Sequence, residues 1–94
     1  MYYRITTFSF DPAREDELMA VAQAAADEMK AIVGIQSAVI VRVAEGKTVT
    51  IAAYDTETSA IAAQPKVQAV LAQLAGMLTG PPEIQSGPVL FDFF

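Results

Sequence analysis

Four side chains in this sequence combine a reactive type with a position that sets them apart: Arg4, Arg42, Tyr54 and Asp92. Arg4 and Arg42 sit in strand-like runs otherwise poor in charge. A guanidinium presents a rigid fork of donors, so either could anchor an anion or a carbonyl; either could equally pair with Asp92, Glu45 or a second subunit. Tyr54 closes an apolar run beside Asp55, and strand ends often carry function. Its hydroxyl could bond a phenolic molecule, or take a proton from one if its pKa were lowered; an amphipathic core or interface tyrosine is the plainer role. Asp92 lies between Phe91 and Phe93, where an apolar setting would raise its pKa and make it a base. It could also be a charge that guards a strand edge against aggregation. Tyr54 and Asp92 are therefore the candidate catalytic residues. Arg4 and Arg42, with Phe8 and Met29 from the apolar set, are the candidate ligand contacts; Phe and Met side chains could line a pocket for an aromatic molecule or simply fill the core.

The residue types that are missing narrow the chemistry. The chain has no His, Cys, Trp or Asn. A zinc site of the His/Cys kind, a Cys-x-x-Cys motif and Ser-His-Asp or Cys-His catalysis are excluded within the chain. No glycine-rich phosphate loop is present, because Gly80-Pro81-Pro82 offers few backbone donors. The expectation is chemistry or binding without a metal or an organic cofactor.

The elements that would position these residues are readable from pattern. Residues 2–10 are rich in aromatic and β-branched side chains, which is strand chemistry. Asp11-Pro12 is a helix start, with acidic residues following in the first turn. Leu18, Val21, Ala22, Ala25, Met29, Ile32 and Val33 form one apolar stripe, predicting a helix over 12–33 with Gly34 as a left-handed cap. Residues 35–44 and 47–54 read as strands joined by the Glu45-Gly46 turn. Pro65 predicts a short helix over 56–63 and a longer one beginning at residue 65, stopped by Gly80-Pro81-Pro82. Residues 89–93 read as the last strand. The order is βαββαβ: an α+β, ferredoxin-like, four-stranded antiparallel sheet with two helices on one face and its first and third strands central.

The 94 residues are one domain, 53% hydrophobic and only 18% charged, which is more apolar than a domain this small can bury. Neither face of the strands alternates cleanly to polar: Val39, Val41, Val49 and Ile51 point one way, Ile40, Ala52 and Tyr54 the other. The expectation is a homodimer stacked through sheet faces. Net charge is −5 with six scattered basic residues, so neither nucleic acid nor an anionic membrane is an expected partner. With no apolar run of membrane-spanning length and no signal-peptide pattern at the first residues, a cytoplasmic location is expected.

The opening strand running into Phe10-Asp11-Pro12, the acidic turn Arg14-Glu15-Asp16-Glu17-Leu18, the Val33-Gly34-Ile35 link, and Tyr54-Asp55 followed by a helix interrupted at Pro65 together resemble the dimeric α+β barrel superfamily. Within it, the chain is most similar to the antibiotic biosynthesis monooxygenase-like domains, across nearly all of residues 1–94. The resemblance implies a homodimer with a small-molecule pocket between helices and sheet in each subunit. It also implies an oxidoreductase of the cofactor-independent, monooxygenase-like kind, acting on or binding a small aromatic or phenolic molecule. The haem-degrading members use His, Asn and Trp, which this chain lacks. A non-catalytic dimeric ligand-binding or scaffold domain is the alternative. An RNA-binding module shares the element order, but Lys47 to Tyr54 lacks the basic aromatic face it would need.

Overall fold

The computed structural model describes residues 1–94. Its elements are β1 (Tyr2–Ser9), α1 (Glu15–Ala24), α2 (Ala26–Lys30), β2 (Ile35–Ala44), β3 (Lys47–Tyr54), α3 (Glu57–Leu74) and β4 (Glu83–Pro88), with short 3-10 turns at Pro12–Arg14 and Ala75–Met77. The strands form one antiparallel sheet in the order β2-β3-β1-β4. This is the ferredoxin-like arrangement, with β1 and β3 at the centre.

Local chemistry accounts for most boundaries. The Asp11 side chain accepts from the Ala13 N–H at 3.0 Å, with Pro12 following as the first residue of the turn. Arg14 then donates to Glu17 and to the Gly76 carbonyl, tying the start of α1 to the 3-10 turn that follows α3. At the other end of the α1–α2 segment, Gly34 has φ +88° and hands the chain to β2. Its carbonyl accepts the Asp55 N–H at 2.9 Å, which ties the start of β2 to the end of β3. Thr56 caps α3 by accepting the Ser59 N–H at 3.1 Å.

Three expectations need correction. The helix expected over 12–33 is divided at Ala25, which is buried and has ψ −3°. The hydrogen bonds Ala25 N–H to Val21 and Met29 N–H to Ala25 carry the chain through a bend rather than a gap. The bend lays Met29 and Ile32 against Tyr54 and leaves Val33 exposed beyond the helix end. Pro65 does not divide α3, which runs unbroken through it. Pro65 and Ile61, four residues before it, are both exposed, so the carbonyl deprived of its donor stands where water can serve it.

The last strand is β4 at 83–88, not 89–93. Leu78 bridges to Phe10 and the Thr79 N–H donates to Ser9, so the chain is already at the far end of β1 when α3 finishes. It pairs back along β1 from Thr7↔Glu83 to Tyr2↔Pro88, after which the Met1 carbonyl accepts the Val89 N–H at 3.0 Å and the residues of β1 are used up. Gly87 and Pro88 are tolerable because β4 is an edge. Residues 89–94 run on outside the sheet with Leu90, Phe91, Phe93 and Phe94 exposed.

The two sheet faces are inverted relative to the usual pattern. Arg4, Thr6 and Phe8 of β1 and Thr48, Ala52 and Tyr54 of β3 are buried beneath the helices. The alternating residues line the uncovered face: Ile5, Ile51 and Val39 stand in one row across the strands, and Val41 pairs with Val49 in the next. Beneath the helices the core is split. One cluster gathers on Tyr54, Ala60, Ala63 and Ile32; the other gathers on Phe8, Phe10, Leu18 and Leu74. No helix is long and apolar enough to cross a membrane.

Two measurements probe the β3–α3 junction. A Cβ on Gly34 would stand 2.5 Å from the Ser59 Cβ and 2.6 Å from the Asp55 carboxylate. Gly34→Ala is expected to lower stability by about 2 kcal/mol or more in urea unfolding, whereas Gly76→Ala, with open space around it, is expected to change it little. The hydroxyl of Ser59 and the backbone of Thr56 hold the Asp55 carboxyl below its ordinary value. A depressed carboxyl contributes stability above its unfolded pKa and loses it as pH falls through the folded one. The stability gap between the native chain and Asp55→Asn is therefore expected to be full at neutral pH and to close below about pH 4.

Candidate functional site

Between the two core clusters lies a cavity of about 570 Å³, within the usual size range of small-molecule sites. Its floor is the covered face of the sheet: Arg4, Thr6 and Phe8 from β1, and Thr48, Thr50, Ala52 and Tyr54 from β3. Its roof is apolar, from Leu18 and Met29 on α1 and α2 and Val67, Val70 and Leu71 on α3. The long strand β2 reaches beyond the helices, and its residues are exposed almost throughout. Gln36 and Lys30, both exposed, stand at the rim on that side.

Arg4 dominates the electrostatics. The side chain is 7% exposed and pairs with no carboxylate; the ion pairs of the chain are Arg14–Glu17 and Arg42–Glu15. Its guanidinium donates to the Tyr54 hydroxyl at 3.1 Å and to the Ala60 carbonyl at 2.8 Å. The Cζ atom lies 5.3 Å from the centre of the Tyr54 ring, within cation–π range. These contacts satisfy two of five N–H donors and hold the group in place without neutralising it. Tyr54 is itself fully buried. Its oxygen accepts from Arg4, which leaves the phenolic proton free to be donated. A fixed cation beside a phenol in an apolar enclosure can orient an anionic or strongly polarised oxygen.

The sequence candidates divide by location. Arg4, Tyr54, Phe8 and Met29 line the cavity together. Arg42 does not: it lies on β2, where its Nε donates to Glu15 at 2.7 Å and its terminal nitrogen forms a second bond to the same carboxylate. That pair holds the Glu15 carboxyl below its ordinary value and Arg42 above its own, and it joins the edge strand to the start of α1. Asp92 also stands apart. It is exposed on the segment after β4, its carboxylate accepts the Phe94 N–H at 2.9 Å, and no packing encloses it. Strand placement, expected for both residues, holds for Arg42 but not for Asp92.

Thr6, Thr48 and Thr50 were not singled out from the sequence, because a threonine in a strand normally signifies only β propensity. The available signal was their spacing. Arg4 and Thr6, and Thr48 and Thr50, share a face of their strands, opposite Ile5, Val49 and Ile51. Which face the helices would cover was not written in that alternation. The Ala60 carbonyl, a backbone group on the covered side of α3, carries no side-chain signal.

No protein-family model matches the chain, and no curated protein matches it significantly. Solved structures match over nearly its whole length. The Rv0793 protein from Mycobacterium tuberculosis superposes with a TM-score of 0.81 at 21% identity, over 99% of this chain and 98% of that one. A structure described as an antibiotic biosynthesis monooxygenase gives 0.79 at 8% identity, over 96% and 99%. The monooxygenase from the ActVA-Orf6 gene of Streptomyces coelicolor, solved in complex with the ligand nanaomycin D, gives 0.75 at 23% identity, over 97% and 92%. The chain thus has the ferredoxin-like α+β fold of the antibiotic biosynthesis monooxygenase structures.

Proposed function

We propose that this chain is a cytoplasmic, monooxygenase-like protein that takes a small aromatic or phenolic molecule into the cavity between sheet and helices, and that it works as a homodimer joined through the uncovered sheet faces. The observation that carries the ligand reading is Arg4: a buried guanidinium with no counter-ion, on the floor of an apolar cavity. An ionised phenol or enol supplies the missing negative charge, and its rings fill the space under Leu18, Met29 and Val67. That a monooxygenase of the same fold was solved in complex with the ligand nanaomycin D supports a small-molecule ligand.

In the oxygenase form of this reading, the substrate ionises by its own acidity, Arg4 holds it as its anion, and the Tyr54 hydroxyl donates a hydrogen bond to the same oxygen. The electron-rich ring reacts directly with dioxygen. A ring methylene becomes a carbonyl: one oxygen atom stays on carbon, the other leaves as water, and the substrate supplies all four electrons. Phe8 and Met29 shape the wall. The alternative is a non-catalytic dimeric ligand-binding or scaffold domain. It is favoured by the sparse ionisable lining, which is Arg4, Tyr54 and, at the rim, Lys30.

Oxygen uptake and thermal shift on a panel of anthrones, hydroquinones and naphthols separate the two. Uptake with product formation supports the oxygenase; stabilisation without turnover supports the binding domain; the absence of both refutes the ligand reading. Arg4→Met is expected to weaken binding of an anionic aromatic about tenfold to a hundredfold, because it removes charge-assisted hydrogen bonds. For the dimer, native mass spectrometry is expected to give twice the chain mass. Ile5→Lys, which puts a charge at the centre of the uncovered face, is expected to give the single-chain mass. A native monomer would refute the sheet-to-sheet dimer.

A further inference from the structure

Residues 89–93 have the composition of a strand but pair with no strand of their own chain. Leu90, Phe91, Phe93 and Phe94 are all exposed, Phe91 the least of them at 71%. The Phe91 and Phe93 rings meet edge to face with centres 4.9 Å apart, so both side chains leave the backbone on one side. An aromatic segment this open lacks a partner.

Strand β2 has the complementary lack. It is an edge of the sheet, bonded only to β3, and runs for 10 residues without proline or lysine. Edges are normally blunted by such residues, as β4 is by Glu83, Gly87 and Pro88. The irregularities in β2 fall near its ends, between Ile35 and Ser37 and between Arg42 and Ala44. The regular run between them keeps an open edge.

The tail and its own β2 lie at opposite edges of the sheet, about 14 Å apart. Symmetry brings the β2 of a second copy nearer. Pro88 stands opposite Tyr2, Tyr2 opposite Tyr54, and Tyr54 opposite Ile35. The root of the tail and the start of β2 therefore share one end of the sheet. A twofold axis parallel to the strands stacks two uncovered faces with β4 of one copy over β2 of the other and those ends together. The tail also leaves on the side such a partner would occupy. With Met1 and Tyr3 it encloses a hollow of about 550 Å³, and Tyr3 belongs to the uncovered face, next to Ile5's row. Stacked sheets lie about 10 Å apart, which Leu90 to Asp92 can cross when extended. Phe93 and Phe94 then arrive at the first residues of β2.

We infer that residues 90–94 are an arm that crosses to a second copy of the chain and lays Phe93 and Phe94 against the open edge of its β2 at Ser37–Val39. This rests on the sheet-to-sheet dimer proposed above and adds the role of the tail. Gln36, Ser37, Ala38 and Val39 line the mouth of the cavity, so each arm walls the other copy's cavity.

The chain has no cysteine, so introduced thiols are the only ones present. Copies carrying Phe94→Cys are coexpressed with copies carrying Gln36→Cys, or Ala44→Cys at the far end of β2, and treated with a short bis-maleimide. The Cys pair at 94 and 36 is expected to give a covalent two-chain product, and the pair at 94 and 44 none. Amide hydrogen exchange compares the native chain with one ending at Val89. Removing the arm is expected to speed exchange at Ser37–Val39 about tenfold or more and to leave Val49–Ala53 unchanged. If the shorter chain does not fold, the cross-links on the full chain decide. A native mass of two chains with no 94-to-36 product, with a 94-to-44 product instead, or with exchange at Ser37–Val39 unmoved in a folded shorter chain overturns the arm and leaves the dimer standing. A native mass of one chain overturns both.

Discussion

The organisation of this domain depends on one buried charge. Taking a guanidinium out of water costs several kcal/mol even after the protein relaxes around it, and a small domain has few ways to offset that. Here the offset is a hydroxyl, a carbonyl and the face of a tyrosine ring, all neutral. The charge and its partners come from three elements: Arg4 from β1, the Tyr54 hydroxyl and ring from β3, and the Ala60 carbonyl from the first turn of α3. The charge therefore fixes how α3 sits on the sheet. It also forces Tyr54, Ala60 and Ala63 to pack as one cluster around it, while Leu18, Phe8 and Leu74 close a second cluster beyond the threonines. A cavity persists between them because polar side chains on the floor do not draw the helices down.

The same placement explains the sheet's inverted polarity. With Arg4, Thr6, Thr48 and Thr50 under the helices, the period-2 alternation of the strands sends Ile5, Val39, Val41 and Ile51 to the uncovered side. The two features are one constraint seen from two sides: the strand register that puts polar side chains under the helices puts apolar ones on the outer face, and that face invites cover. The exposed phenylalanines after β4 add to the surface needing cover.

Much of the fold could be read from residues with strong local meaning. Glu45-Gly46 between two β-branched runs defined β2, β3 and their hairpin, and Gly34 marked a backbone that no other residue adopts easily. The readings that failed were those where tertiary position outweighed local preference. Pro65 is a helix breaker by propensity, yet α3 tolerates it because its affected face meets water. Val89 to Phe93 is a better strand by composition than Glu83 to Pro88, yet β1 is already paired before the chain reaches it. At the site, Arg4 and Tyr54 could be noticed one at a time as unusual residues in strands, but their pairing depends on β1 lying beside β3. Arg42 drew attention for the same reason as Arg4 and turned out to be tied to Glu15.

The sparse chemistry of the lining then constrains what the site can do. A guanidinium cannot act as a base at any physiological pH, and a phenol that accepts from it is placed to donate rather than abstract. If a molecule ionises in this cavity, most of the driving force must come from the molecule's own acidity, increased by the adjacent cation in a poorly screened enclosure. Phenols, enols and hydroxyaryl acids meet that condition, whereas an aliphatic alcohol or an unactivated hydrocarbon does not. On the proposed reading, the cation selects the anion over its neutral parent, so the form held would be the electron-rich one. Binding and activation would then draw on the same contact with Arg4, and how readily the bound anion gives up electrons would decide whether the chain stops at the first or proceeds to the second.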